Sequence, residues 1–221
     1  MSLLDRDALI TGLRALVGEL QSRGRAANVR IVGGAAMALR YYERDTTRDI
    51  DVATNLDASE LDEIARAIAA RQGWSPDWLN ASASIFVPSY DRPVEWVTVH
   101  DDAGVVIQVA SPEAMLAMKL HANRPGRDDG DLRVLMAICD LTSLGELEAL
   151  FEQYYPGDVL SDRAIRLVDA IVAEGVPARP AQMPGFDLGP SAPFEFGDRP
   201  VSSRDTAELD KQIAEERAAW D

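Results

Sequence analysis

The 221-residue chain holds one cysteine, two lysines and two histidines, and aromatic residues make up only 6% of it. A single cysteine excludes an internal disulfide. Cys139 sits in the apolar helical pattern LRVLMAICDL, which predicts a buried core thiol rather than a nucleophile. His100 and His121 have no second His or Cys at metal-ligand spacing, and both read as structural or surface residues. The chain has no apolar run of the roughly 18 residues a membrane span needs. The opening MSLLDRDALITG carries early acids and no apolar core of a signal peptide, so a cytoplasmic protein without membrane contact is expected.

Positive charge is short as well. Lys and Arg total 22 against 37 Asp and Glu, for a formal charge of −15. Such a surface repels a phosphate backbone overall, which argues against a broad non-specific nucleic-acid binder but leaves room for a local basic patch. Almost all the cations are Arg, as in a GC-rich coding bias, so each surviving lysine stands out. Lys211 lies in a charged tail and reads as incidental. Lys119 lies within AMLAMKLHANRPGRD and reads as a site needing a compact ammonium, which Arg does not supply.

What is present reads as one α+β core with a helical lobe behind it. Residues 5–23 carry Leu9, Leu13, Leu16, Val17 and Leu20 at helical spacing. Residues 28–32 predict a short strand ending at Gly33 and Gly34, residues 35–42 a helix, and residues 49–53 a strand. Residues 57–71 predict a helix with Leu61, Ile64 and Ile68 on one face, stopped by Gly73. Residues 84–87, 94–99 and 105–110 predict strands, the last two joined by a hairpin turn at HDDAG. From Ser111 the pattern turns helical, over residues 111–122, 128–141, 144–154 and 161–174. Ser111 and Pro112 supply a cap and a first-turn proline. Residues 177–200 hold half of the chain's 12 prolines and predict an extended or disordered linker. Residues 203–220 predict a terminal helix. The expected division is a core over 1–110, a helical lobe completing the site over 111–175, and a linker with terminal helix over 176–221. A mixed sheet flanked by helices is the expected fold.

The chemistry concentrates in VGGAAMALRYYERDTTRDIDV, residues 32–52. In a strand, residues i and i+2 share a face, so Asp49 and Asp51 point together while Ile50 and Val52 face the core. Two adjacent carboxylates repel, and both stay ionised only with a cation between them. Mg²⁺ suits that arrangement, because it takes one or two carboxylates and completes its shell with water and phosphate oxygens. A strand ending in Gly-Gly before a helix lets backbone N–H groups approach an anion closely. Each motif alone is weak: Gly-Gly is usually a turn and Asp-x-Asp an exposed strand face. Their order and spacing permit one pocket.

G-G, a helix and then D-I-D-V resembles the signature of the nucleotidyltransferase superfamily, the DNA-polymerase-β-like fold. WSPDWLN at 74–80 and SPEAMLAMKLHANRPGRDDGDLRVL at 111–135 resemble the AbiEii-type nucleotidyltransferase toxins and their relatives, including the mycobacterial MenT group. The resemblance covers roughly residues 29–155, and its K-L-x-A-x-R-x-x-R-D-x-x-D-L segment is the more specific part. It implies a nucleotidyltransferase fold and transfer of a nucleoside monophosphate from an NTP to an acceptor. By resemblance, Asp49 and Asp51 bind Mg²⁺ or Mn²⁺, Lys119 contacts the triphosphate, and Asp49, Asp51, Lys119 and Asp131 are catalytic. Gly33, Gly34, Thr47, Lys119, Arg124, Arg127 and Asp128 bind the nucleotide. The relatives imply tRNA as acceptor and a cognate antitoxin as partner.

Several readings stay open. Asp128 and Asp131 also fit as first-turn helix acids stabilised by the macrodipole. Many superfamily members carry a third carboxylate on a later strand, and the only acid in 94–99 is Glu95, in an unset register. Thr47 either lies near the phosphates or ties down a turn. Trp74 and Trp78 read as packing the helix-to-strand connection. Arg40, Arg44, Arg48, Arg124, Arg127 and Arg133 offer a basic patch for an RNA acceptor. A same-fold enzyme acting on a protein or small molecule, or a non-catalytic binding module, remains the alternative to a toxin.

Overall fold

A computed structural model describes residues 3–44, 46–88 and 94–189. It is an α+β structure with a five-stranded mixed sheet flanked by helices. The strands are β1 (Ala27–Val32), β2 (Ile50–Thr54), β3 (Leu79–Asn80), β4 (Trp96–Asp102) and β5 (Val105–Ala110), in the order β3-β2-β1-β5-β4. β1 runs antiparallel to β2 and parallel to β5, with Ile31 opposite both Val52 and Val109.

That register explains the sequence alternation. Val29, Ile31, Ile50, Val52, Ile107 and Val109 are fully buried on one face of the sheet. Helices α1 (Arg6–Ser22) and α3 (Ala58–Gln72) pack together and bury Leu9, Leu13, Leu16, Ile64 and Ile68 in the same core. The opposite face carries Arg30, Asp51, Ala53 and Gln108. Asp51 thus rides on a strand whose partners across the pleat, Ile50 and Val52, anchor it in the core.

Helix ends follow local chemistry. Asp5 caps α1 by accepting from the Ala8 N–H at 2.8 Å. Gly73, at φ 72°, stops α3 as expected. Ser111 caps α4 (Pro112–Ala122), and Asn123 closes it in the left-handed conformation. α5 spans Asp129–Cys139 and α6 spans Leu144–Tyr154, the latter with a full capping box from Ser143 and Glu146. Ser161 caps α7 (Asp162–Glu174). After β1 the chain enters a short helix, α2 (Gly33–Ala36), which widens into a π-turn at Met37–Tyr41. Trp78 is buried, donates its indole N–H to Ala65 O at 2.9 Å and meets Trp74 edge-on, which is the packing role read from the sequence. Cys139 is a half-buried helix residue whose thiol is pushed up to about 12 by burial, as an inert thiol would be.

The structure corrects two expectations and adds to a third. Residues 84–87 are not a strand: Ser84–Phe86 forms a single 3₁₀ turn, and the pairing strand is the shorter β3 before it. His100 is not at a hairpin tip: β4 runs through Asp102, and Ala103 and Gly104 make the turn with φ of 47° and 80°. Residues 177–189 carry no helix or strand yet are pinned to α1. Arg6 and Arg14 donate to the carbonyls of Pro184 and Asp187 at 2.6 and 2.8 Å, and Leu188 is buried. The expected helix over 203–220 and the rest of the proline-rich segment lie outside the described residues. No helix among the described residues is long and apolar enough to cross a membrane.

Candidate functional site

Asp51, the second residue of β2, is made unusual by its surroundings. It is 7% exposed, on the open face of β2 opposite Val32. Burial, and next the neighbouring Asp49 carboxylate, push it up to about 6, against the fields of Arg124, Arg127 and Lys119. Asp49 lies one residue before the strand and is more open, with 27% of its side chain exposed. Asn80 of β3 approaches Asp49 at 3.5 Å and Arg127 at 3.9 Å, both long contacts. The pair that the alternation predicts is therefore present, with one acid buried and one at the rim.

The glycine pair has a steric reason visible in the chain. Gly33 has φ 71°, and a Cβ there would lie 3.0 Å from Asp51 Oδ2. A Cβ at Gly34 would lie 2.7 Å from Thr47 Oγ1 and 3.6 Å from the Arg44 guanidinium carbon. The two glycines let the Asp51 carboxylate and the Thr47 and Arg44 side chains close onto the backbone. Thr47 is buried and joins Leu4 through paired backbone hydrogen bonds of 2.7 and 2.8 Å, so it ties down this loop.

The second acid pair is built differently. Lys119 is 4% exposed, and its Nζ lies 2.6 Å from Asp128 Oδ1 and 2.8 Å from Asp131 Oδ2. The latter contact lacks hydrogen-bond alignment. Asp128 is fully buried and also accepts from Arg124, through its backbone N–H at 2.9 Å and Nε at 3.0 Å. Burial would raise Asp128, but Arg124 and Lys119 override it and hold the carboxyl at about 2. Asp131 is likewise lowered: against burial stand Lys119, Arg44 and the Tyr42 hydroxyl, which donates to Oδ1 at 2.8 Å. Arg44 pairs with the same oxygen.

The sequence-read residues thus divide. Gly33, Asp51, Lys119 and Arg124 line one small cleft of about 30 Å³, together with Ala83, Phe86, Met115, Met118 and Ala122. Asp49 and Arg127 stand at the Asp51 end. Asp128 and Asp131 lie behind Lys119 and Arg124, engaged by them. In comparisons with known proteins, no family model, no curated protein and no solved structure matches this chain. The site therefore rests on its own geometry.

The six-arginine patch does not form as one surface. Arg44 turns inward to Asp131, Arg124 is bound to Asp128, and Arg133 pairs with Glu174 of α7 at 2.7 Å. Glu95 is exposed and just precedes β4, the edge strand on the far side of β5 and β1 from β2, so it takes no part in the Asp51 cluster. Tyr42 and Arg44 are partners of Asp131 that the sequence spacing did not single out. Their only local signal is their place just upstream of the acidic pair. Phe86, in a stretch read as a strand, enters the cleft because the chain turns there.

The donor set fits a hard divalent cation. Two carboxylates, one raised by burial and by its neighbour, gain from a positive charge between them. No group of three or more His, Cys, Asp or Glu side chains is gathered for a metal among the described residues.

Proposed function

We propose that the chain is a metal-dependent nucleotidyltransferase of the DNA-polymerase-β-like fold, moving a nucleoside monophosphate from an NTP to an acceptor. The observation that supports it best is Asp51: a buried carboxylate beside a second one, facing a cleft that also presents Lys119 and Arg124. Asp49 and Asp51 would hold Mg²⁺ or Mn²⁺, which supplies Lewis-acid charge to the phosphates when bound. The remaining chemistry falls to the chain. Arg124 and Arg127 neutralise phosphate charge at the cleft mouth. Lys119 adds a fixed positive field, held in place by Asp128 and Asp131. The acceptor oxygen bonds to the α-phosphorus, the α–β bridging bond breaks, and pyrophosphate leaves with its electron pair while the acceptor proton passes to solvent.

By its resemblance to the AbiEii-type toxins, the acceptor is tRNA and the partner a neutralising antitoxin. The arginines favour a second reading for the acceptor. Arg44 is spent on buried Asp131 and Arg133 on Glu174, in a chain of charge −15, and a protein or small-molecule acceptor needs no basic surface. Calorimetric titration of each NTP with Mg²⁺, on the native chain and on Asp49→Ala/Asp51→Ala, tests the core reading: binding is expected only in the former. Label transferred from α-³²P-NTP to RNA or to protein then decides the acceptor. Growth arrest on induction that persists in Asp49→Ala would defeat the catalytic-toxin reading.

A further inference from the structure

Lys119 supplies no net charge by itself. Its Nζ touches two carboxylates, Asp128 Oδ1 at 2.6 Å and Asp131 Oδ2 at 2.8 Å, and both acids are held ionised. Arg124 is a second cation on Asp128, at 3.0 Å. Two cations on two carboxylates cancel, and a phosphate meeting such a cluster finds no excess of positive charge. Arg44 changes the balance. It comes from the segment between the π-turn and β2 and pairs with Asp131 Oδ1, the third cation on the same two acids. Three against two leave one positive charge over.

Holding Asp131 does not by itself require that third cation. Lys119 already pairs with the carboxylate. Tyr42 already donates to the same oxygen at 2.8 Å, and its hydroxyl, pushed up to about 12 by burial, stays neutral. What Arg44 adds beyond a further donor is charge. The chain also makes room for it. Its Nε donates to the Thr46 carbonyl at 3.2 Å, and a Cβ at Gly34 would lie 3.6 Å from its guanidinium carbon.

The cleft beside Lys119 holds only about 30 Å³, so a ligand oxygen meets the cluster at its most exposed cation. That cation is Arg124, with 39% of its side chain exposed against 22% for Arg44 and 5% for Lys119. Charges set back from solvent behind it act on that oxygen with little screening by salt.

We propose that Arg44 is a positioning residue for phosphate binding: acting through Asp131, it gives the Lys119–Arg124 cluster one net positive charge. That the anion is the phosphate chain of a nucleotide rests on the nucleotidyltransferase reading. Asp49 and Asp51 stand outside this count, because a divalent ion between them balances their two charges.

The test reads phosphate affinity against the charge count. Inorganic tripolyphosphate and each NTP, with Mg²⁺, are titrated by calorimetry into the native chain and four variants. Arg44→Met leaves no excess charge and is expected to bind tripolyphosphate about tenfold more weakly. Arg44→Lys keeps the charge and is expected to retain the native affinity. Asp131→Asn adds one positive charge and is expected to bind more tightly than the native chain. Arg44→Met/Asp131→Asn returns to the native count and is expected to recover what Arg44→Met lost. An Arg44 that serves folding alone gives the opposite pattern: Asp131→Asn weakens binding and the double variant is the weakest, which overturns the proposal. If Arg44→Met does not fold, Asp131→Asn and Arg44→Lys still decide between the two patterns. Equal affinity in the native chain and Arg44→Met also overturns the proposal and leaves the nucleotidyltransferase reading standing. Tripolyphosphate affinities in the expected order, with no NTP bound, keep the charge account and remove the nucleotidyltransferase reading. Binding of neither probe by the native chain overturns both.

Discussion

Two pairs of aspartates lie on either side of one cleft, and they are treated in opposite ways. Asp128 and Asp131 come with their cations: Lys119 bridges them, Arg124 grips the first, and Arg44 with Tyr42 grips the second. Asp49 has long contacts to Asn80 and Arg127, and Asp51 feels its repulsion against the fields of Arg124, Arg127 and Lys119. Both pairs are desolvated at their inner member. One is lowered below the ordinary carboxylate range and the other raised above it, so the sign of the shift, not burial, separates a scaffold from a site.

Removing the shared cation breaks this comparison most strongly. Lys119→Met leaves two buried carboxylates facing an alkyl chain. The cost is expected at about 3–5 kcal/mol, read as a drop in Tm on the order of 10 °C. Because Arg124 and Arg44 remain, the fold is expected to survive at low temperature with the cleft disordered. A Tm within a degree or two of the native chain would show that the Lys119 bridge carries no stability.

The opposite sign is expected at Asp51. Its carboxyl titrates at about 6 in the folded chain against the ordinary value of about 3.9. The folded state therefore holds a proton that the unfolded chain has already released between those pH values. The Asp51 contribution to stability is greatest below about pH 4 and is lost as pH rises through 6, since the unfolded state binds fewer protons there. Asp51→Asn removes the charge and is expected to stabilise the chain at pH 7.5 by about 1–3 kcal/mol, with no gain at pH 3.5. Thermal melts at the two pH values check it. Asp128 behaves inversely: held at about 2, it contributes stability above pH 4 that is lost as pH falls toward 2.

The same proton sharpens the metal reading. Mn²⁺, used as a paramagnetic probe, must displace it, so affinity is expected to rise about tenfold per pH unit below 6 and level off above. Asp51→Asn is expected to bind no Mn²⁺ at any pH. A flat profile in the native chain would mean that Asp51 is not a ligand.

How much of this was visible beforehand depends on the range of the interactions. The alternation around Ile50 and Val52, the apolar spacing of α1 and α3 and the Ser111 cap are local signals, and each element formed close to where its residues place it. Asp49 and Asp51 were legible for the same reason, being two residues apart at the start of a strand, although Asp49 falls just outside it. The cleft partners were not. Tyr155 reaches Phe86 across 69 residues and Arg44 reaches Asp131 across 87. The SIFV run has the composition of a strand but no neighbour at its position, and a distant hydroxyl decides its shape. Residues 177–189 have no periodicity to read, and arginines on the first helix fix them. Lys119 was conspicuous because lysine is rare here; that it would be enclosed by two acids on the next helix was a tertiary fact.

The smallest effect discriminates between the two causes acting on Asp51. Asp49 is at the rim, and Asp49→Asn is expected to change stability by no more than about 0.5 kcal/mol, as for a surface substitution. It also removes the like charge beside Asp51 while leaving that side chain as buried as before. Burial is the larger cause of the raised value and Asp49 the second. The Asp51 carboxyl, followed by ¹³C NMR, is therefore expected to titrate lower in Asp49→Asn yet still above the ordinary carboxylate range. A full return to that range would make repulsion the main cause, and the site would then be a charge pair first and a desolvated pocket second. An unchanged value would separate the two acids altogether, and with them the case for one ion between them.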